Sequence, residues 1–308
     1  MNISNSKKRS CSVCASAHVE RRYCGVKDYE YGTYHEVDFL RCQTCGLLTQ
    51  DPLPSPKLIP SFYPRSYRSH GHVEKKSLFS VLKYVQLWLY AIKIEHIVHQ
   101  NKNAKVLEIG CGNGSLLMML QRRGFSRLWG TDVSTVSAQA LTQKGVVFRS
   151  ANIEKKFPFG MSFDLIILNQ VFEHLLDPLF VLARCKKHMA KNGKIIIATP
   201  NSSAIDLVLF RNYWDGLNAP RHFYLFSVKA MEIVRAKMGF QSLTSLVLPD
   251  PGMWAISLQN VLQDTGFFRT RLRHGLAWYT VFLSIVCLPI SWITSVGKKS
   301  SSMLYILE

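Results

Sequence analysis

An α/β fold, with a mostly parallel β-sheet covered by helices on both faces, is the architecture this sequence predicts. Two observations predict it. Between residues 104 and 248, short apolar runs of strand length alternate with helical stretches, the pattern of consecutive βα units. Where the first of these runs ends, a glycine-rich turn, Gly110-Cys111-Gly112-Asn113-Gly114, leads directly into a helix. A chain of 308 residues that is 47% hydrophobic can bury a sizeable core, which excludes disorder as the main state.

Residues 1–50 hold two close cysteine pairs, Cys11-x-x-Cys14 and Cys42-x-x-Cys45, among many aromatics. The first residues contain no apolar core of a signal peptide, so a cytoplasmic location is expected and disulfides are not. Four thiolates in two such knuckles suit tetrahedral zinc in a closed structural site, with Cys11, Cys14, Cys42 and Cys45 as ligands. Residues 51–76 are rich in Pro, Ser and basic groups and read as a connector; 51–103 is taken as connector plus N-terminal helix. From 78 to about 100 an apolar stripe recurs at Leu78, Val81, Leu82, Val85, Leu89 and Ile92, which is helical spacing.

The sheet region follows in order. Strands are expected at 104–109, 126–131, 146–149, 164–168, 194–199 and 241–248. The helices between them run to about Arg123 and Lys144, and from Pro178 to Ala190, the last ended by Asn192-Gly193. Ser227 is the expected N-cap of a helix buried through Met231, Val234 and Met238 and closed by Gly239. Leu276–Val296 is a run of 21 uncharged residues, long enough to span a bilayer. Pro289 divides it, and cationic groups flank both ends: Arg269, Arg271, Arg273 and His274 before it, Lys298 and Lys299 after it. It reads as two shorter helices within a 251–300 insertion, lying in a membrane interface or packed on protein, rather than as a span. A last strand is expected at 301–307.

The chemistry of the glycine turn is specific. Glycines at 110, 112 and 114 let the backbone turn tightly and approach a ligand. The helix beyond offers free N–H groups. The spacing G-x-G-x-G is not that of dinucleotide enzymes. Glu108 would repel a pyrophosphate and suits a cationic amino-acid group, while Asp132 closes the next strand, where a carboxylate accepts ribose hydroxyls. With these residues the chain resembles class I S-adenosylmethionine-dependent methyltransferases over roughly 104–250. The resemblance implies a Rossmann-like seven-stranded methyltransferase sheet, 104–250 plus 301–308, with an antiparallel last strand inserted beside the fifth. It implies S-adenosylmethionine contacts from Glu108, Gly110, Cys111, Gly112, Gly114 and Asp132, from Asn152 and Ile153, and from Asn169 and Gln170. The cysteine module, with Arg41-Cys42-Gln43-Thr44-Cys45-Gly46-Leu47, resembles the zinc-binding N-terminal module of sugar and polysaccharide-cluster methyltransferases.

Methyl transfer is mainly a matter of holding a nucleophile in line with the methyl group. A hydroxyl nucleophile benefits from a base, for which His222, His174 and Glu173 are the candidates. Tyr63, Tyr67 and His70 lie in the connector before the core, and the resemblance implies that such a tyrosine-bearing segment closes over the cofactor as a lid. The charge excess, 38 Lys plus Arg against 20 Asp plus Glu for a net +18, is spread along the chain and favours anionic partners. The resemblance implies a small or lipid-linked acceptor, a sugar of a surface-polysaccharide precursor or an isoprenoid-type lipid, expected at the inner face of an anionic membrane. The alternative is an RNA methyltransferase using the zinc module and basic surface. Against nucleic acid, Asn169-Gln170-Val171-Phe172 is not the motif of base-amine methyltransferases, and the basic groups do not interleave with aromatics as a stacking platform would.

Overall fold

A computed structural model describes residues 10–32, 36–64, 78–267 and 276–308, with the side chains of the first helix described from residue 84. Tyr67, His70, Arg269, Arg271, Arg273 and His274 lie outside the described residues, as do the side chains of Leu78, Val81 and Leu82. The strands are β1 (Val19–Val26), β2 (Val37–Cys42), β3 (Leu48–Asp51), β4 (Val106–Ile109), β5 (Leu128–Asp132), β6 (Val147–Ser150), β7 (Phe163–Asn169), β8 (Met189–Pro200), β9 (Tyr224–Leu225), β10 (Leu243–Leu248) and β11 (Ser302–Leu307). The helices are α1 (Leu78–Ile97), α2 (Ser115–Arg122), α3 (Ala138–Gln143), α4 (Pro178–Lys187), α5 (Ile205–Phe210), α6 (Val228–Met238), α7 (Pro251–Asp264), α8 (Thr280–Val286) and α9 (Leu288–Ser295).

Seven strands form one sheet in the order β10-β11-β8-β7-β4-β5-β6. β4 pairs in parallel with β5 and with β7, and all four of its residues are buried, as expected of a strand covered on both faces. β11 runs antiparallel to its neighbours. Asn201, just past β8, donates its N–H to Ser301 at the start of β11, and Ser242 and Glu308 exchange backbone bonds at the opposite ends of β10 and β11. This is the seven-stranded order expected of the sequence, last strand included.

The chain forms two compact units. One comprises residues 63–198, 242–244 and 304–308; the other comprises 1–62, 199–241 and 245–303.

Within the first of these units, two expectations are corrected. α4 stops at Lys187, and Asn192-Gly193 lies inside β8 rather than ending the helix. The β7–β8 register shifts there, from Phe163↔Met189 to Leu165↔Lys194. A Cβ on Gly193 would lie 2.8 Å from the Phe163 carbonyl oxygen, so glycine serves a close backbone approach at a strand irregularity. The buried face of α1 is also rotated from the expected stripe. Val85 and Leu89 are exposed, whereas Tyr90, Ala91 and Ile94 are buried. Glu95 sets this rotation by pairing with Arg123, at the C-terminal end of α2, and with Lys102. The helix carries apolar residues on more than one side, so periodicity left its rotation open.

The second unit holds the four-stranded antiparallel sheet β1-β2-β3-β9. Its core gathers Phe39, Leu48, Leu225, Leu207, Trp214 and Leu217. Ser227 caps α6 by accepting from Ala230 N at 3.0 Å, and Gly239 ends it at φ 68°, both as expected. A buried ion pair ties the 218–222 loop to the module: the Arg221 guanidinium meets both Asp28 oxygens, at 2.7 and 3.1 Å, and its Nε donates to Asn218 Oδ1 at 2.6 Å. Both charged side chains are almost fully buried. Removing one partner from such a pair typically costs about 3–5 kcal/mol. Arg221→Met should therefore lower the thermal midpoint by several degrees, measured by circular dichroism melting.

The apolar stretch forms α8 and α9, bent by 49° at a break that falls just before Pro289. No single helix among the described residues is long and apolar enough to cross a membrane.

Candidate active site and metal centre

The glycine turn sits between β4 and α2, in the unit containing residues 63–198. Gly110 N and Cys111 N both donate to Thr131 O, at 2.7 and 3.1 Å, which pins the turn to the end of β5. Gly110, Gly112 and Gly114 all have positive φ, of 69°, 51° and 71°. The space is as restrictive as the torsion. A Cβ on Gly110 would lie 2.4 Å from Val171 Cγ2, and one on Gly114 would lie 2.2 Å from Leu141 Cδ2. Val171, in the loop after β7, thus packs against the glycine turn. Gly110→Ala should lose both stability and cofactor affinity. Val171→Ala in the same chain should restore part of the stability, because it removes the clash and leaves only the torsional strain. Thermal melts of the two variants check this.

Two carboxylates flank the turn. Asp132 accepts from Gly112 N through Oδ2 and from Ser134 N through Oδ1, each at 2.8 Å, so it is oriented by the backbone on both sides. Each oxygen retains a second acceptor site for a ribose hydroxyl. Glu108 is only 3% exposed, and its Oε2 has no hydrogen-bond partner among the described residues. Burial pushes its pKa well above the usual carboxylate range, and the nearby Asp132 adds to the shift. A buried carboxylate so placed calls for a donor, preferably a cation. The orphaned Glu108 oxygen, the tight glycine cradle and the oriented Asp132 therefore fit the amino-acid and ribose parts of S-adenosylmethionine.

The other expected contacts vary. Cys111 is buried, and its Sγ would lie 3.0 Å from a Cβ on Gly130, so the side chain packs inward. Burial raises its thiol, and only its backbone is suited to a ligand. Asn152 is exposed, and its Oδ1 accepts from Glu154 N at 2.9 Å, forming a local turn. Ile153 is buried, with its carbonyl held by Arg184 at 2.9 Å. Gln170 adopts φ 55° while its N–H donates to Ala198 O at 2.8 Å, a left-handed conformation uncommon for this residue type. Asn169 ends β7 beside it.

Glu173 is fully buried and His174 half-buried, in the short 3-10 turn 172–174. Tyr63 Oη lies 3.3 Å from His174 Nδ1, and their rings are in contact. Tyr90 on α1 was not singled out from sequence. Its phenol is buried, has no partner among the described residues, and is pushed up by burial and by Glu108. It lies off the apolar stripe that the spacing of that helix predicts. In the other unit His222 is buried, and its Nδ1 lies 2.8 Å from Gly216 O. A carbonyl only accepts, so Nδ1 is the donor in this bond.

The cysteine cluster lies wholly in that second unit. Cys11 Sγ is 3.6 Å from Cys45 Sγ, Cys14 Sγ is 3.5 Å from Cys42 Sγ, and all four sulfurs lie within 4.8 Å of one another. None forms a disulfide. A tetrahedral site with metal–sulfur bonds of about 2.3 Å separates its sulfurs by about 3.8 Å, close to these spacings. The turns are knuckle-like: Gly46 N donates to Cys42 O at 2.8 Å and Ala15 N to Cys11 O at 2.9 Å. The tetrad could hold a metal ion.

This sheet order, with this turn at the end of its first strand, defines a class I S-adenosylmethionine-dependent methyltransferase. The chain belongs to the methyltransferase domain family, whose model matches residues 87–245, just over half of the 308. It is 30% identical over 105 residues to a ubiquinone biosynthesis O-methyltransferase of Parvibaculum lavamentivorans, covering 32% of this chain and 42% of that one. The match to the protein of the same name from Cereibacter sphaeroides is 24% over 209 residues, covering 66% and 71%. The chain thus spans less than half the length of the first of these relatives. Among solved structures it resembles a methyltransferase from Archaeoglobus fulgidus, with TM-score 0.46 and 14% identity over 75% of this chain and 99% of that one. It also resembles the magnesium protoporphyrin IX methyltransferase of Synechocystis, with TM-score 0.43 and 18% identity over 57% and 83%.

Proposed function

We propose that the protein transfers a methyl group from S-adenosylmethionine to a small, lipid-like or lipid-linked acceptor, and that it meets this acceptor at the cytoplasmic face of the membrane. The observation that carries the reading is the buried Glu108 carboxyl, whose Oε2 has no hydrogen-bond partner among the described residues, behind a glycine turn in a chain of this family. S-adenosylmethionine, when bound, supplies a methyl group on a sulfonium, open to attack by an oxygen, nitrogen or carbon nucleophile. Glu108 would take the ammonium end, Asp132 the ribose, and the backbone of Gly110, Cys111, Gly112 and Gly114 the close approach; Asn152, Ile153, Asn169 and Gln170 complete the proposed contacts.

The names of the relatives support an isoprenoid-type acceptor, and the likeness of the cysteine module to that of sugar methyltransferases supports a sugar of a lipid-linked polysaccharide precursor. Turnover with polyprenylated phenols and with extracted lipid-linked glycans, read by mass spectrometry, separates the two. A gain of one methyl on either class supports the proposal, and transfer to neither opposes it. The +18 charge also favours the second reading, an RNA methyltransferase, which a salt-sensitive RNA pull-down tests.

For a hydroxyl acceptor, the proposed bases are His174 and His222, with Glu173 orienting a histidine. If Tyr63 Oη accepts from Nδ1–H of His174, Nε2 is the ring nitrogen that would receive the acceptor proton. Tyr63→Phe should then lower kcat more than it raises KM and shift the acidic limb of the pH–rate profile. An unchanged profile would remove Tyr63 and His174 from the chemistry. The same measurement on His222→Ala decides between the two histidines. Zinc on Cys11, Cys14, Cys42 and Cys45 is proposed as structural.

A further inference from the structure

The helix pair α8–α9 is amphipathic in the inverted sense. Its inward side is small and polar: Thr280 and Ser291 are buried, and Gln259 of α7, itself fully buried, accepts from Ala277 N at 2.8 Å and from the Thr280 hydroxyl. Its outward side is apolar. Phe282, Val286, Trp292, Ile293 and Val296 are all more than half exposed, and Trp278, just before α8, is 77% exposed. Water is a poor neighbour for such a face.

The face does not stop at these helices. Ile205 N, at the start of α5, donates to Lys299 O at 3.2 Å, and Asn201 Nδ2 donates to Lys298 O and Ser300 O at 3.1 and 3.0 Å. Ser301 Oγ donates to Asp206 Oδ2 at 2.7 Å. These bonds stitch α5 to the segment that follows α9. Val208 and Leu209 of α5 are 71% and 63% exposed, so a helix bonded to the end of the apolar stretch is apolar on its outside as well. Its charge is one-sided. Lys298, Lys299 and Arg211 are exposed, residues 276–299 contain no acid, and Asp206 of α5 is buried.

We propose that α5, α8 and α9 form an interfacial docking face for an anionic lipid bilayer, lying in the headgroup region without crossing it. Indoles at this depth and cations at the rim match the apolar boundary and the phosphates of such a surface. A second copy of the chain fits less well. A two-fold interface sets identical patches together and would bring Lys298 and Lys299 of both copies close without a compensating acid. The inference extends the membrane-face reading above and shares its location, but its test needs neither cofactor nor acceptor.

The test is flotation of the purified full chain with phosphatidylglycerol-rich vesicles and with neutral phosphatidylcholine vesicles. The wild type should float with the anionic vesicles, and salt should weaken this binding. Trp292→Glu combined with Ile293→Glu should cut the bound fraction at least about tenfold, since it puts two charges on the apolar face. The variant should keep its circular dichroism melt. Should that variant fail to fold, Val208→Glu on α5 and quenching of wild-type tryptophan fluorescence by brominated lipid test the same face. A wild type that stays unbound to both vesicles overturns the proposal, as does equal flotation of wild type and variants. So does a wild-type dimer that the substitutions split into monomers. A chain that floats yet methylates no lipid keeps this inference and overturns the acceptor reading.

Discussion

Glu108→Gln is expected to weaken binding of S-adenosylhomocysteine by about 10- to 100-fold, the range of a lost hydrogen bond to a charged group, with little loss of fold. The neutral amide fills the same space, so the melt should hold or rise slightly, because a buried carboxyl with a raised pKa is an electrostatic cost to the unliganded state. The sign of the pH dependence follows. Burial, with a smaller contribution from Asp132, lifts the free-state pKa, and an ammonium group bound beside the carboxylate lowers it. Below the raised pKa, binding therefore releases a proton, and affinity climbs with pH until the free carboxyl is ionised. Calorimetry in buffers of different ionisation enthalpy reads that release directly. It should vanish in Glu108→Gln. Proton release that persists in the variant would place the titrating group elsewhere.

If zinc occupies the cysteine tetrad as proposed, Cys42→Ser should lose the metal and the solubility of the chain together. A structural zinc bound by four cysteines supplies roughly 10–16 kcal/mol of apparent binding free energy, which for so small a module is folding free energy. The loss would spread beyond the knuckles. Cys45 O accepts from Ser227 Oγ at 2.5 Å, the hydroxyl that also caps α6, and Gly46 O accepts from Ser202 Oγ at 2.7 Å. β3 pairs with β9 next to these bonds. Metal analysis of the purified variant beside the wild type checks the assignment, and full metal content in Cys42→Ser would sink it.

The positions of β4, β7 and β8 were legible because their apolar runs stand between turn residues, whereas their order in the sheet followed from the resemblance to class I methyltransferases. The Ser227 cap and the Gly239 stop were legible for a local reason: each acts through its own backbone and near neighbours. What was not legible depends on partners far away in the chain. The rotation of α1 is decided by Glu95 meeting Arg123, and the role of Gly193 by the carbonyl of Phe163. Nothing local announces that Asp28, nearly two hundred residues before Arg221, is its buried counter-ion. The cofactor side was more readable than the acceptor side. Glycines and carboxylates at a strand end constrain a ligand tightly, whereas a histidine becomes a base only through what faces each ring nitrogen. The inverted polarity of α8 and α9 was hidden as well, because an uncharged run does not say which of its residues turn inward.

The most direct test of the account is the fate of a labelled methyl group. The full-length protein is incubated with methyl-labelled S-adenosylmethionine and a whole-cell extract, and the label is partitioned between organic-soluble lipid and aqueous nucleic acid. The account predicts label in the lipid fraction, dependent on Glu108. Label confined to RNA, or none in lipid from a protein that still binds S-adenosylhomocysteine, would contradict it.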